Sequence, residues 1–424
     1  MPGARHAGRR TPPAPPFAAP AIPDTFMTAD THATTDTAPA FSAALPWVGL
    51  VALLFFVNYG SRAVLAPLLL SIETDLGLDH AQATRLLFLM ACGFTVSLAA
   101  SGFLLSRVAP RRMAAFSCMA TGAVLMGMSA VHDHAAARYM FVLMGLAAGL
   151  YFPAGMATLG TLARQRDWGK AVSIHELGPN LSFVAVPLLA EAGLRFTDWR
   201  GVLAGMGALG MLAGITFACV GRGGRALAEP PSLRGFTGAL RSPLTWLFAW
   251  LLGLGVAGEY ATYSVLPLHL VESLGLAPGT ANGLLAASRL VTPFAALAGG
   301  WVADRMGARR TIAACLALTG IALLAMAVPS AVAVTAGMTV QGGMTAFIFP
   351  AIFKELARCY PAARLPTVLS IATPASSLVG TGAAPALLGA IGQAWSFSAG
   401  FALLGVLALA TIIPLRLLPP EPRR

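Results

Sequence analysis

The chain has 424 residues, 57% of them hydrophobic and only 11% charged, and its mean hydropathy is +0.73. A water-soluble domain carries about 25% charged residues, so a soluble enzyme is excluded. So much apolar surface must also be buried that disorder is confined to the ends. The net charge of +11 raises nucleic acid as a partner, and the position of the basic residues decides against it.

Residues 1–44 are rich in Pro, Ala and Thr and hold no apolar run. They lack the hydrophobic stretch of a secretory signal and are expected to form a disordered cytoplasmic tail, with Met27 an alternative start. A bilayer core is crossed by about 20 apolar residues in a helix. Apolar runs between polar breaks predict twelve such spans, near 46–70, 81–105, 113–131, 139–162, 170–190, 200–220, 243–270, 280–303, 311–328, 332–353, 366–390 and 396–418. The expected fold is an all-α membrane protein of twelve transmembrane helices. It divides into a six-helix half at 45–220, a cytoplasmic linker at 221–242, a second six-helix half at 243–418 and a short tail at 419–424.

With the N-terminus placed in the cytoplasm, the cytoplasmic loops and C-terminal tail hold 19 Lys and Arg and the opposite loops three, Arg138, Arg195 and Arg200. Cytoplasmic loops are enriched in basic residues, so both ends are expected on that side. The positive charge then orients the chain and faces anionic lipid, not nucleic acid. The five cysteines, Cys92, Cys118, Cys219, Cys315 and Cys359, show neither disulfide nor metal spacing. His132-Asp133-His134 is a faint metal pattern without further ligands nearby.

The two halves match at a constant offset of 198. Gly77-Leu78 pairs with Gly275-Leu276, Gly102 with Gly300, Arg107 with Arg305, and Arg111-Arg112 with Arg309-Arg310. At an offset of 197, Phe152-Pro153-Ala154 pairs with Phe349-Pro350-Ala351, and Ser173-Ile174 with Ser370-Ile371. Six spans repeated as six in one orientation make a parallel duplication about a pseudo-two-fold axis.

Gly300-Trp301-Val302-Ala303-Asp304-Arg305-Met306-Gly307-Ala308-Arg309-Arg310 resembles the loop motif Gly-x-x-Ala-Asp-Arg-x-Gly-x-Arg-Arg of the major facilitator superfamily. In the first-half copy, Ser106 stands in place of the acid and Ala109 in place of the glycine. Trp199-Arg200 before span six also resembles the family pattern. The likeness extends over residues 45–418. An acid at a helix end beside a neighbouring terminus can form a charge–dipole and salt-bridge latch, so Asp304 with Arg305 or Arg309 is expected to gate the cytoplasmic side. The first half should latch less firmly.

Three basic residues remain inside spans: Arg62, Arg85 and Arg289. Charge within a span is costly and ordinarily marks a pathway. Arg85 lies near a span end and can snorkel. At the repeat offset Arg62 corresponds to Tyr260 and Arg289 to Ala91, so the fold itself needs no cation at either place. Glu176 in span five and Glu259 in span seven are the acids, and His175 precedes the first. Glu176 and Asn180, Glu259 and Tyr263, and Asn58 and Arg62 are spaced four apart and share helix faces. Gln341 in span ten completes the polar set. The resemblance implies a central cavity lined by spans one, four, seven and ten with help from two, five, eight and eleven. Every member of the set falls on one of these. Gly253-x-Gly255-x-x-Gly258 mimics a dinucleotide fingerprint but sits inside an apolar helix, where small residues serve packing; Gly145, Gly149, Gly210 and Gly214 are read likewise.

These features predict a secondary active transporter working by alternating access, without Walker motif or cofactor. A guanidinium binds a carboxylate as a forked pair, so Arg62 and Arg289 point to a small organic anion as substrate, with Asn58, Asn180, Tyr263 and Gln341 as further substrate contacts. Glu176, Glu259 and His175 are assigned to proton coupling. The stretch Asn58-Tyr59-Gly60-Ser61-Arg62 is similar to span one of the superfamily's anion:cation symporter branch, with Ser61 where that branch has an acid. Arg289 resembles the arginine of monocarboxylate carriers. The other partners expected are H+ and the lipid bilayer, and the chain is read as a monomer in a bacterial inner membrane. A second reading is a proton-driven efflux pump for amphipathic drugs, and a third is a non-transporting membrane sensor.

Overall fold

A computed structural model describes residues 41–164, 167–227, 233–361 and 364–419. Every regular element among them is helical. We number the membrane helices α1 (Phe41–Ala63, continued after a turn by Leu69–Leu76), α2 (His80–Leu105), α3 (Pro110–Met128), α4 (His134–Gly160), α5 (Trp168–Leu194), α6 (Trp199–Val220), α7 (Pro243–Leu274), α8 (Pro278–Met306), α9 (Ala308–Met326), α10 (Ala331–Cys359), α11 (Leu365–Ala394) and α12 (Phe397–Leu417). Among the described residues, eleven helices are long and apolar enough to cross a bilayer. The twelfth, α3, falls short because Arg111 and Arg112 open it.

Several boundaries differ from expectation for identifiable reasons. α1 starts at Phe41, inside the stretch expected to be tail. The rest of that stretch, residues 1–40, and the last residues of the chain lie outside the described residues, as does part of the linker, which includes a short helix at Leu233–Leu240. α1 breaks after Ala63 because Pro67 has no N–H to return to the Ala63 carbonyl, which instead accepts from Ala66 at 3.2 Å. α4 is interrupted at Gly149–Leu150, just before Pro153.

The helices pair identically in the two halves. α1 packs on α5, α2 on α4 and α3 on α6; α7 packs on α11, α8 on α10 and α9 on α12. Lipid tails are as apolar as leucine, so helices in a bilayer associate through close packing rather than hydrophobic exclusion. The duplication is visible in that packing. Gly122 of α3 faces Gly207 of α6, and 198 residues on Gly320 of α9 faces Gly405 of α12. A side chain at Gly145 would fall 1.9 Å from the Met90 carbonyl of α2, and one at Gly299 would fall 2.4 Å from the Phe347 carbonyl of α10. The expected packing role of the small-residue stripes is met.

At the repeat pair Gly77 and Gly275, both helices end in the left-handed region at φ of 62° and 64°, which glycine reaches without a Cβ clash. The degraded loop shows the converse. Gly307 adopts φ 89°, whereas Ala109, at its counterpart, takes −57°.

The halves join mainly where α2 packs on α11 and α5 on α8, with a smaller contact between the continuation of α1 and α7. At the end of the bundle holding the α1–α2 and α7–α8 turns, one apolar core is continuous across both halves, running from Leu65 and Leu87 through Phe183 to Leu266 and Phe401. At the other end the core is divided, one part around Val48, Met113 and Tyr151 in the first half and another around Phe248, Ile312 and Ile352 in the second. The protein is closed at the first end and split at the second, the end that carries the linker.

Candidate functional site

The centre of the bundle is built on local irregularities. α7 contains a π-helical turn at Ala257–Ala261 and α11 another at Leu378–Ala383. They pack on each other so closely that a side chain at Gly380 would fall 2.7 Å from the Ala257 backbone nitrogen. Such single π turns widen a helix and recur at functional sites. The one in α7 carries Glu259. Gln341 of α10 is fully buried, and its amide donates to the Gly258 carbonyl exposed by that turn.

Arg62 lies in the last turn of α1, 7% exposed, with its guanidinium 4.5 Å from the ring centres of both Tyr59 and Phe94. A cation held over aromatic faces gains about 0.5–2 kcal/mol as water is removed. Tyr260, the repeat counterpart of Arg62, donates its hydroxyl to the Arg62 carbonyl at 3.5 Å. Two positions related by the duplication touch only where they flank the pseudo-two-fold axis, so Arg62 stands beside that axis.

Arg289 ends the first segment of α8 and is 1% exposed. Its guanidinium carbon lies 5.6 Å from the Phe183 ring centre and 5.9 Å from that of Tyr263. Phe183 of α5 also meets Tyr263 edge-on at 4.6 Å and Tyr59 at 5.2 Å. One aromatic ring thus connects the surroundings of the two arginines. Glu259 is in electrostatic range of Arg289, Arg62 and Glu176 at once. No carboxylate stands within ion-pair distance of either arginine among the described residues. Arg62 Nε, Arg289 Nε and Nη1 and the Tyr263 hydroxyl are buried without a partner. Buried polar groups are ordinarily bonded, and each orphan costs about 1–3 kcal/mol.

Glu176 lies two helical turns from Phe183 on the same face of α5, and its side chain remains 42% exposed. His175 beside it is fully buried, stacked on Phe55 at 4.4 Å and parallel to Tyr151, with Nδ1 3.3 Å from Glu176 Oε1. The sequence reading turned His175 away from Glu176, but its ring is folded back to meet it.

The remaining expected contacts divide. Asn58 does not face the centre. Its amide donates to Ser117 of α3 at 3.1 Å, and Ser117 passes the bond to the Ala147 carbonyl, so Asn58 braces peripheral packing. Four-residue spacing put Asn58 and Arg62 on one face, but α1 is apolar nearly all round and has two sides to bury. Asn180 spends its amide on the Glu176 carbonyl. Gln341 serves the π turn, leaving only its carbonyl oxygen unpartnered. Asp304 pairs with Lys354 of α10, whose ammonium also donates to the Ala303 carbonyl at 3.0 Å. Arg305 lies on the Trp301 ring at 3.8 Å, and Arg309 shares a shallow groove with Arg310 and Arg416. Asp133 of the faint metal pattern caps α4 by accepting from the Ala136 N–H.

Sequence reasoning missed Tyr59, Phe94, Phe183, Tyr260 and Lys354. Tyr59 was recoverable, three residues before Arg62 on the same face, as was Phe183, seven after Glu176. Phe94 reaches Arg62, and Lys354 reaches Asp304, from another helix, and neither leaves a local trace.

The model of the Major Facilitator Superfamily matches residues 51–264 and again residues 252–424. The chain belongs to the Major Facilitator Superfamily. It is a multi-pass membrane transporter, not an enzyme. The chain is 25% identical over 335 residues to a probable nitrate/nitrite transporter, NarK2, of Mycobacterium tuberculosis, covering 76% of this chain and 83% of that one. Among solved structures, it superposes on a bacterial homologue of the human lysosomal transporter Spinster in an inward-facing, unoccupied conformation (TM-score 0.70, 15% identity, 89% of this chain and 96% of that one). It also superposes on the nucleoside transporter NupG (TM-score 0.72, 14% identity, 88% and 99%). These superpositions extend the family assignment to the twelve-helix fold.

Proposed function

We propose that this transporter carries a small organic anion, a carboxylate, by proton-coupled alternating access, and that Arg62 and Arg289 hold it. The observation that carries the reading is the pair of buried guanidinium groups, one from each half, with N–H donors free and no carboxylate bonded to them. Guanidinium N–H groups form forked bonds to a planar oxyanion, and an anion is the group that would satisfy these donors. The relative named as a nitrate/nitrite transporter fits the same charge and planarity, so nitrate belongs in any substrate panel. The unpaired arginines disfavour an apolar cation as cargo, and with it the drug-efflux reading.

Glu259 and the Glu176–His175 pair are the proton carriers in this proposal. A proton moving with the anion offsets work against the membrane potential, worth ~2.3 kcal/mol per charge per 100 mV. The excess of Lys and Arg on the loops of the split end supports a cytoplasmic placement of that end by the positive-inside rule, and the membrane in this proposal is a bacterial inner membrane. The conformation is then inward-open, with Asp304 and Lys354 on the open rim, and the working unit is a monomer.

Uptake of labelled acetate, lactate, pyruvate and nitrate into proteoliposomes under an imposed pH gradient tests the proposal. Uptake of a carboxylate that collapses with the gradient and falls at least tenfold in R62A and R289A is expected. Undiminished uptake in both variants overturns the anion site, and uptake indifferent to the gradient overturns proton coupling.

A further inference from the structure

At the closed end, far from the arginines, three titratable groups meet across the boundary between the halves. His80, the first residue of α2, is 25% exposed. Its Nδ1 lies 2.9 Å from Glu73 Oε2, in the continuation of α1, and its Nε2 lies 2.8 Å from Glu272 Oε2, in α7. Glu73 is 5% exposed and its other oxygen has no partner, whereas Glu272 is half exposed. The His80 backbone N–H donates to Gln393 of α11 at 3.2 Å, and its ring packs on Phe397 of α12. Asp79, next to it in sequence, is engaged by the Gln82 N–H as the cap of α2, which also carries Arg85 about one and a half turns on. Asp75, also in the continuation of α1, is neutralised by Arg200 of α6 at 2.7 Å. The groups facing His80 from α1, α7, α11 and α12 are therefore two carboxylates, one neutral amide and one hydrocarbon ring.

The chemistry of this bridge is constrained. Both carboxylate oxygens are acceptors, and a neutral imidazole owns a single N–H. It can donate to Glu73 or to Glu272 but not to both. The bridge closes in full only when the triad holds one further proton, on the ring or on a carboxyl oxygen. Glu73 and His80 belong to the first half and Glu272 to the second, so that proton is bound by contact between the halves. Asn282 of α8 and Glu191 of α5 also meet across the boundary, at 3.5 Å, but the amide there does not titrate in this range.

We infer that Glu73, His80 and Glu272 form a proton-dependent latch, which holds the outer end of the transporter shut when protonated and releases α7 from α2 when the proton leaves. By linkage, a conformation that binds one extra proton gains population as pH falls and loses it as pH rises. The closed-to-open ratio at this end should drop by up to ~10-fold per pH unit between the titration of the separated groups and that of the bridge. The half-exposed Glu272 gives the proton its route, so the latch answers to pH on its own side of the membrane. It depends on the two-half architecture and not on what is carried.

Spin labels at Phe196 and Trp395, both exposed on turns of opposite halves at this end, report its opening by pulsed dipolar spectroscopy in nanodiscs. Between pH 5 and 9, the wild-type distance distribution should move from short to long. H80Q should remove the pH dependence and favour the long distance. E272Q should also remove it but keep the short distance, because the introduced amide can donate to Nε2 while Nδ1–H donates to Glu73. The two variants move the population in opposite directions, so a folding defect shared by both cannot imitate the result. D75N, which disturbs a pair within one half, should retain the wild-type slope. A pH dependence that survives in H80Q or in E272Q, or a wild-type distribution that does not respond to pH, overturns the inference.

Discussion

Replacing Arg289 by methionine separates a binding cation from a structural one. The side chain is 1% exposed, two of its nitrogens have no partner, and no carboxylate is within ion-pair distance. Two unsatisfied N–H groups cost about 1–3 kcal/mol each, against which the contacts with Phe183 and Tyr263 return up to about 2 kcal/mol. Methionine has similar reach, adapts to irregular space and leaves no orphan donor. R289M in the absence of ligand should therefore be at least as stable as wild type, by about 0–4 kcal/mol, the orphan costs less the ring contacts. The ligand response should move the opposite way. An anion at 100 times its Kd stabilises the wild type by about 2.7 kcal/mol. Loss of a forked pair, at about 1.5–3 kcal/mol per charge-assisted bond, raises Kd by ~10²–10⁴ and leaves less than about 0.5 kcal/mol of that stabilisation. Thermal unfolding of purified protein with and without acetate, pyruvate or nitrate reads both quantities. A variant that melts below wild type and still responds to the anion would show that Arg289 braces the helices and binds nothing.

Two further predictions concern packing. G145V should destabilise by at least about 2–3 kcal/mol, because its new side chain meets backbone of α2 at Met90 and Phe94, which cannot swing aside. G205A on α6, with nothing within 4 Å, should be neutral or gain up to about 1 kcal/mol from helix propensity. Equal effects in thermal unfolding would contradict the packing account. N58A should cost about 1–2 kcal/mol of stability while the anion Kd changes less than about twofold. A tenfold loss of affinity without loss of stability would return Asn58 to the binding site.

The reach of the sequence followed the physics of each signal. Helix number and the two-half plan are set by bilayer thickness and by a duplication, both written in contiguous residues, and so they were legible. Arg62, Arg289 and Glu259 were legible because charge in an apolar span has few reasons to exist. The direction of Asn58 was not. A helix apolar on nearly all sides offers no polar face to orient it, and the choice between Ser117 and the centre depends on the packing of α3. The π turn at Ala257–Ala261 was hidden for a related reason. Its widened backbone is stabilised by Gln341 from another helix and by Gly380 from a third, so nothing in residues 257–261 announces it. The loop motif marks Asp304 as a candidate gating acid, but Lys354, with which it pairs, stands 50 residues away on α10.

The departures from symmetry carry the functional argument. Where the duplication governs structure, counterparts agree: Gly122 and Gly207 repeat as Gly320 and Gly405, and Gly77 caps as Gly275 does. Two of the disagreements fall at the centre. Arg62 opposes Tyr260 across the axis and Arg289 replaces Ala91, so one cation comes from each half at unrelated positions. A duplicated cation would place two identical charges about the axis and repel them. Two cations on unrelated helices, α1 and α8, can instead approach one anion from different directions, and both halves must then carry it. In the proposed cycle, an anion bound to both halves would draw them together, and that attraction would couple occupancy of the site to closure of the split end.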